Sequence, residues 1–258
     1  KSEELFDSDC RMAISLLRMI LCSWAPEKIH LIKAPLRLWA DATSNRRTML
    51  SVDTTTGQIT LHWKSNVDTK GPLLNSENLE ILRRDWFWDD LCKILALDDR
   101  NELEDIIVTG IKWIGDAQDD SDIASAFVKY WTCLEGAFSG NTGKADAKDE
   151  ISLSERLARS IAIVLVFGGY QFYKAEEFGK LFANIKQLYA IRSDVVHRGR
   201  SKRLTGTRLV EICTYAVYAI FTLLSLRSRG YTTRQGIWKQ TERLYEKTQH
   251  AKCKGVRV

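Results

Sequence analysis

The sequence has 258 residues, of which 45% are hydrophobic and 28% are charged, which excludes a disordered chain and provides ample material for a hydrophobic core. The net charge of +5 is unevenly distributed. The segment from Ser201 to the end carries 12 Lys and Arg against 3 Asp and Glu, which is +9, and the remainder, with 26 against 30, is −4. This asymmetry favours a polyanionic partner for the C-terminal part, although a solvated tail has the same composition.

The six cysteines are dispersed and form no C-x-x-C pair, whereas a zinc site needs closer ligand spacing. We therefore expect reduced thiols in a cytoplasmic protein, with no metal and no cofactor. The most apolar stretch, Leu209 to Leu226, is short for a membrane span and contains Glu211. It is predicted to be a buried helix, and no membrane association is expected.

Residues 1–100 are predicted to form a small mixed α/β region of unassigned role. An amphipathic helix over "FDSDCRMAISLLRMIL" precedes "MLSVDTTTGQITLHW", in which apolar and polar residues alternate on both sides of a glycine-containing turn. That pattern is typical of a β-hairpin. The opening "KSEELF" resembles an interior cut, which leaves room for a regulatory or sensor domain upstream.

After Asn101 the chain reads as almost wholly helical, and a bundle of four to five helices is predicted over residues 101–230. Asn101 is predicted to cap the first of these helices. The acidic segment 116–122 is interpreted as a cap for the next helix in preference to a set of metal ligands. Residues 231–258 are predicted to form a basic C-terminal helix and tail.

One helix of this bundle places an arginine where an apolar residue is expected. Its apolar stripe, continued by three or four residues, reaches Arg192, and a buried charge there needs a partner or a ligand. His197 follows five positions later, which on an unbroken helix is about 140° away at 100° per residue. The two converge only if the helix ends or bends between them, or if a second copy supplies the missing partner. The simpler interpretation is a helix end, closed by Gly199, whose cations interact with the dipole. The stripe consists of Phe178, Leu181, Phe182, Ile185, Leu188 and Tyr189.

Three segments resemble the HEPN superfamily of helical-bundle nucleases. Its R-x4-H motif is present as Arg192-Ser-Asp-Val-Val-His197, within "FANIKQLYAIRSDVVHRG", which resembles the motif helix. "YWTCLEGAF" resembles the aromatic-x-x-L-E helix of the Apea-like HEPN branch, which is associated with anti-phage defence, and "EISLSERLARSIAIVL" resembles its second helix. The resemblance covers residues 102–228. Many relatives carry Asn or another larger polar residue directly after the arginine, where this chain has Ser193.

The resemblance implies a metal-independent RNA endonuclease that acts as the effector of an anti-phage or toxin-like defence system. RNA carries its own nucleophile, the 2′-hydroxyl beside the scissile phosphate. His197 would move protons, because histidine titrates near neutrality, and Arg192 would stabilise the phosphate oxygens. Family members usually pair two bundles so that both motifs line one cleft, which implies a homodimer.

The resemblance also implies roles for the neighbours of this pair. Glu135, Ser193 and Asp194 are candidates to orient it, although Glu135 equally suits a boundary residue that reaches solvent. Four basic residues would bind the RNA backbone, or else form a solvated loop: Arg198, Arg200, Lys202 and Arg203. The alternative function is a non-catalytic HEPN module that binds a nucleotide, RNA or a partner protein.

Overall fold

The structure is a computed structural model that describes residues 11–16, 19–20, 47–52, 59–64, 80, 88–139, 152–170 and 172–253. It is mainly helical, which confirms the predicted fold class at that level. Seven helices are labelled here: α1 Trp88–Leu95, α2 Glu102–Asp119, α3 Ile123–Phe138, α4 Leu153–Phe167, α5 Phe178–Arg198, α6 Gly206–Ser228 and α7 Arg234–Cys253. A short 3₁₀ turn, Ala175–Glu177, precedes α5.

Two strands precede the helices. Strand β1, Arg47–Val52, pairs antiparallel with β2, Ile59–Lys64, so that Val52 lies opposite Ile59. The residues that join them, 53–58, lie outside the described ranges. The β-hairpin and the α+β character of residues 1–100 therefore stay predictions.

Capping side chains start the two helices that lead into the bundle. The side chain of Asn101 accepts hydrogen bonds from the N–H groups of Leu103 and Glu104, and Glu104 in return accepts from the Asn101 N–H. The predicted cap is thus present as a reciprocal box. In the acidic segment, Asp122 accepts from the Ser125 N–H and Asp120 pairs with Lys129 at 2.7 Å. The acidic segment thus caps the next helix through Asp122, as the sequence predicted. Within the described ranges no three His, Cys, Asp or Glu residues are grouped as a metal site.

Helix α6 forms the centre of the bundle, where it packs against α2, α3 and α4. It begins at Gly206, because the Thr205 side chain accepts from the Arg208 N–H and caps it there. Among the described helices it alone has the length and apolar composition to cross a membrane, and most of it is buried inside the protein. That burial is what the core helix of a bundle requires.

Helix α5 packs on α4 and α3 through the predicted stripe. Leu181, Ile185 and Leu188 are all buried, as predicted, and Phe178, Phe182 and Tyr189 pack at the edge of the core. The stripe therefore fixes which side of α5 faces the bundle, and so determines where Arg192 is placed.

Contacts between distant parts of the chain hold the start of α2 to the end of the bundle. Glu104 of α2, with a side chain only 7% exposed, receives two hydrogen bonds from Arg227 at the end of α6. Just beyond, the Leu103 N–H donates to the Thr232 carbonyl oxygen at 3.1 Å. Burial tends to raise the pKa of Glu104, but the Asn101 N–H and the Arg227 guanidinium outweigh it, so the pKa is lowered.

Candidate functional site

The candidate site lies at the C-terminal end of α5. The helix is continuous through Arg198 and ends at Gly199, which adopts a left-handed conformation with φ of 61°. The Gly199 N–H donates to the Val195 carbonyl, and the Arg200 N–H donates to the Asp194 carbonyl, which closes the helix end. No break separates Arg192 from His197. Of the ways in which the two could converge, a helix end or bend between them is therefore excluded.

Arg192 is held against the neighbouring helix α3. Its Nη2 donates to the Glu135 Oε2 at 3.0 Å, and the two side chains are 20% and 26% exposed, respectively. Its guanidinium carbon also lies 5.9 Å from the centre of the Tyr189 ring, whose edge packs on Trp131 with 5.5 Å between ring centres. Glu135 therefore does not simply reach into solvent, and Arg192 has a defined orientation at the rim of the core.

Arg192 and Trp131 have N–H donors at this rim that no described residue accepts from. A guanidinium has five N–H donors, and in the described part of the chain Glu135 is the acceptor for Arg192. The Nε of Arg192 and the Nε1 of Trp131 are both buried without a hydrogen-bond partner in that part. Buried donors without acceptors are uncommon in native proteins, and a catalytic role or a bound water or ion is among their explanations.

His197 lies at the surface, away from this ion pair. It is exposed, and its side chain makes no hydrogen bond to another described residue. Its neighbour Val196 is a large apolar residue that is 44% exposed, one helical turn beyond Arg192. The apolar stripe of α5 therefore runs past the end of its own bundle.

The basic residues after the helix surround Asp194. The carboxylate of Asp194 pairs with Arg198 at 3.0 Å and with Arg203 at 3.7 Å. Arg200 and Lys202 are exposed in the same loop. Asp194 thus contacts the basic loop and not Arg192, and Ser193 takes no part in the described hydrogen bonds of Arg192.

The sequence pattern did not identify the aromatic surroundings of Arg192. Trp131 and Glu135 are four residues apart on α3, and Tyr189 and Arg192 are three apart on α5, so each pair shares one helix face. The sequence shows this spacing. It does not show which face of α3 contacts α5, because that depends on how the two helices pack.

Comparison with known proteins adds no relative to these observations: no family model, no curated protein and no solved structure matches the chain.

Proposed function

We propose that this protein is a metal-independent RNA endonuclease of the HEPN type, acting in the cytoplasm as a defence effector. The observation that carries the proposal is the state of Arg192: its guanidinium is oriented by Glu135, keeps unused donors, and lies on the same helix end as an exposed histidine. Arginine in this state suits a phosphate, which accepts two parallel hydrogen bonds from the guanidinium fork.

The reaction needs no metal, because the RNA provides its own nucleophile. The 2′-hydroxyl oxygen forms a bond to phosphorus, and the bond from phosphorus to the 5′-oxygen of the next nucleotide breaks. His197 takes the 2′-hydroxyl proton and later releases it to solvent, and the leaving 5′-oxygen takes a proton from solvent. Arg192 stabilises the charge that grows on the phosphate oxygens. The products are a 2′,3′-cyclic phosphate and a 5′-hydroxyl.

A second copy of the chain completes the proposed site. Because α5 is unbroken, Arg192 and His197 of one chain lie about 140° apart around the helix and do not meet on one phosphate. Val196 is exposed beside both residues and would lie in the contact between the subunits. A two-fold symmetric pair therefore places Arg192 of one copy close to His197 of the other.

The basic loop is the proposed RNA-binding surface, formed by Arg198, Arg200, Lys202 and Arg203. The ion pairs of Arg198 and Arg203 with Asp194 are largely exposed, and such pairs are worth only about 0–1 kcal/mol. An RNA phosphate is therefore able to displace Asp194 from these arginines. Binding should weaken steeply with added salt, since each neutralised phosphate releases counterions.

The test is incubation of purified protein with RNA in excess chelator, followed by end-group analysis. We expect cleavage to continue with chelator, and a substrate with a 2′-deoxy sugar at the scissile position to stay intact.

His197→Ala should lower the rate by ~10²–10⁴. Arg192→Lys should rescue poorly, because an ammonium lacks the fork. Arg243→Ala, which removes an exposed arginine of α7, is the matched control and should cleave normally.

Two results would overturn the proposal. If His197→Ala cleaves at the wild-type rate, the motif is not the catalytic site. If the wild-type protein binds RNA in a salt-dependent manner and never cleaves it, the alternative function of a non-catalytic binding module is correct.

A further inference from the structure

A second concave region lies along the same helix. A cavity of about 430 Å³ opens between the first half of α5, the 3₁₀ turn before it, and the first half of α6. Long side chains bridge the two helices at this place. Arg208 of α6 donates to the Asn184 Oδ1 at 2.7 Å and to the Gln187 Oε1 at 3.2 Å, both on α5. A volume of this size is typical of small-ligand sites.

Aromatic rings form part of the wall. Tyr173 and Tyr215 both line the cavity, with ring centres 6.1 Å apart and planes at 67°. Tyr173 also contacts the ring of Tyr218. Tyr218 in turn stacks on Phe172, with ring centres 4.0 Å apart. Such rings offer a planar ligand a surface on which to stack.

The polar groups of the wall include both donors and acceptors. Glu177, Glu211 and Gln187 line the cavity, and Arg208 already occupies one oxygen of Glu211 at 2.8 Å and the amide oxygen of Gln187. The Gln187 amide nitrogen is left as a donor, and each carboxylate has a further oxygen. Burial raises the pKa of Tyr173, and Glu177 and Glu211 raise it further, so its hydroxyl also stays protonated as a donor.

The formal charges at the cavity sum to zero, which favours an uncharged ligand group in its interior: Glu177, Glu211 and Lys180 line it, and the adjoining Arg208 pairs with Glu211 at 2.8 Å. Lys180 is exposed and is the one cation among the described residues that line the cavity. It is therefore placed at the rim, where it suits an anionic group attached to the ligand.

The cavity and the proposed cleavage site share α5. Lys180, Gln187 and Asp194 are spaced seven residues apart, so they lie along nearly one line of the helix surface, and Asp194 contacts the basic loop. Gln187 and His197 are ten residues apart, which is about 15 Å along the helix. A strand of RNA covers that distance in about four nucleotides at 3.4 Å each, and in fewer when it is extended.

We propose that this cavity binds one unpaired RNA base that carries an exocyclic amino group, a few nucleotides from the scissile phosphate. This inference rests on the proposed RNA cleavage. The base stacks on Tyr173, its amino group donates to the carboxylate of Glu177 or Glu211, and Lys180 binds the adjoining phosphate. Adenine, guanine and cytosine have such an amino group, and uracil does not.

Binding is tested first, independently of catalysis. His197→Ala protein is titrated by calorimetry with AMP, GMP, CMP, UMP and adenosine. We expect the amino-bearing monophosphates to bind about tenfold or more tightly than UMP, because uracil presents a carbonyl oxygen to the wall carboxylates where the other bases donate a hydrogen bond. Lys180→Ala should remove the preference for AMP over adenosine. Lys186→Ala is the matched control, because Lys186 faces Glu155 of α4 and not the cavity.

Cleavage experiments then test whether the ligand is a base within RNA or a free nucleotide. Wild-type protein is given oligonucleotides with uracil placed singly at each of the four nucleotides on either side of the scissile position. One position should raise KM several-fold, and Gln187→Ala, which changes an exposed side chain, should reduce that preference. Cleavage without any base preference, or equal binding of all four monophosphates, overturns the inference and leaves the proposed function standing. Absence of cleavage, with selective binding of AMP, GMP and CMP and no binding of RNA, overturns the proposed function and the RNA source of the base.

Discussion

The carboxylate of Glu135 has a specific task at the scale of single residues. It fixes the direction of the Arg192 guanidinium through one ion pair at 3.0 Å, in a setting where both side chains are partly exposed. An ion pair of this kind contributes at most about 1 kcal/mol to stability. In the proposed reaction its effect on the rate would be larger, because small errors in the position of a catalytic group cost far more rate than stability.

We therefore predict that Glu135→Gln lowers kcat for RNA cleavage by about tenfold to a hundredfold, while KM and the unfolding midpoint change little. Single-turnover and steady-state kinetics with the same RNA measure the two constants separately. Glu135→Asp, which restores the charge on a shorter side chain, should recover part of kcat. Equal loss of stability and of kcat would show that Glu135 has only a structural role.

At the scale of helices, alanine substitutions at two glycines are expected to change stability in opposite directions. Gly199 has a positive φ, and a methyl group added there meets no atom within 4 Å, so any cost of alanine comes from the backbone alone. Gly136 lies within α3, with equally open space and no positive φ. Alanine in a left-handed conformation costs about 1–2 kcal/mol, whereas alanine for glycine within a helix contributes about 0.5–1 kcal/mol.

Gly199→Ala should therefore lower the free energy of unfolding, and Gly136→Ala should raise it. Denaturant titrations of the two variants, followed by circular dichroism, measure both changes against the wild-type protein. Because Gly199 directs the chain into the basic loop, its variant should also bind RNA more weakly. A stabilising effect of Gly199→Ala would mean that α5 continues beyond Arg198 in solution.

Because Glu104 of α2 pairs with Arg227 of α6, we predict that the free energy of unfolding depends on pH. The lowered pKa of Glu104 means that its contribution is fully present above the ordinary value of 4.5 and is lost as the pH falls through the lower, folded-state pKa. Glu104→Gln should reduce the free energy of unfolding by about 2 kcal/mol at pH 7, because Arg227 loses its buried charged acceptor. Below pH 4.5 the difference between the variant and the wild-type protein should shrink, as thermal unfolding at several pH values will measure. A difference that stays constant down to pH 2 would contradict this account.

The helices themselves were largely predictable from the sequence, and the contacts between them were not. Apolar residues at helical spacing indicated that Leu181, Ile185 and Leu188 are buried, and they are. The same pattern put Arg192 on the packed face, where the structure has it 20% exposed at the rim, but did not identify its partner, since Glu135 lies 57 positions away. The cavity beside Tyr215 likewise depends on two helices that are bridged by Arg208, and hydrophobic periodicity contains no information about such a bridge.

At the scale of the whole molecule, the unbroken α5 predicts that the proposed cleavage depends on assembly of two subunits. Arg192→Ala and His197→Ala should each be inactive alone. When equal amounts are mixed and allowed to exchange subunits, half of the dimers become mixed, and each of these has one intact pair of motifs. Activity should return to about one quarter of the wild-type level. Light scattering at several concentrations checks the dimer, and a mixture that stays inactive despite exchange would contradict a site shared between subunits.

The ion pair between Glu104 of α2 and Arg227 of α6 also has a consequence for how the chain folds during synthesis. Glu104 and Arg227 are 123 positions apart, so the first helix of the bundle reaches its ionic partner only after nearly all of the bundle has left the ribosome. The central helix α6 emerges after the three helices that pack around it. Until then the parts of their apolar faces that α6 covers stay exposed, although α2 packs on α3 and α4 on α5. We expect an incomplete bundle of this kind to be prone to aggregation.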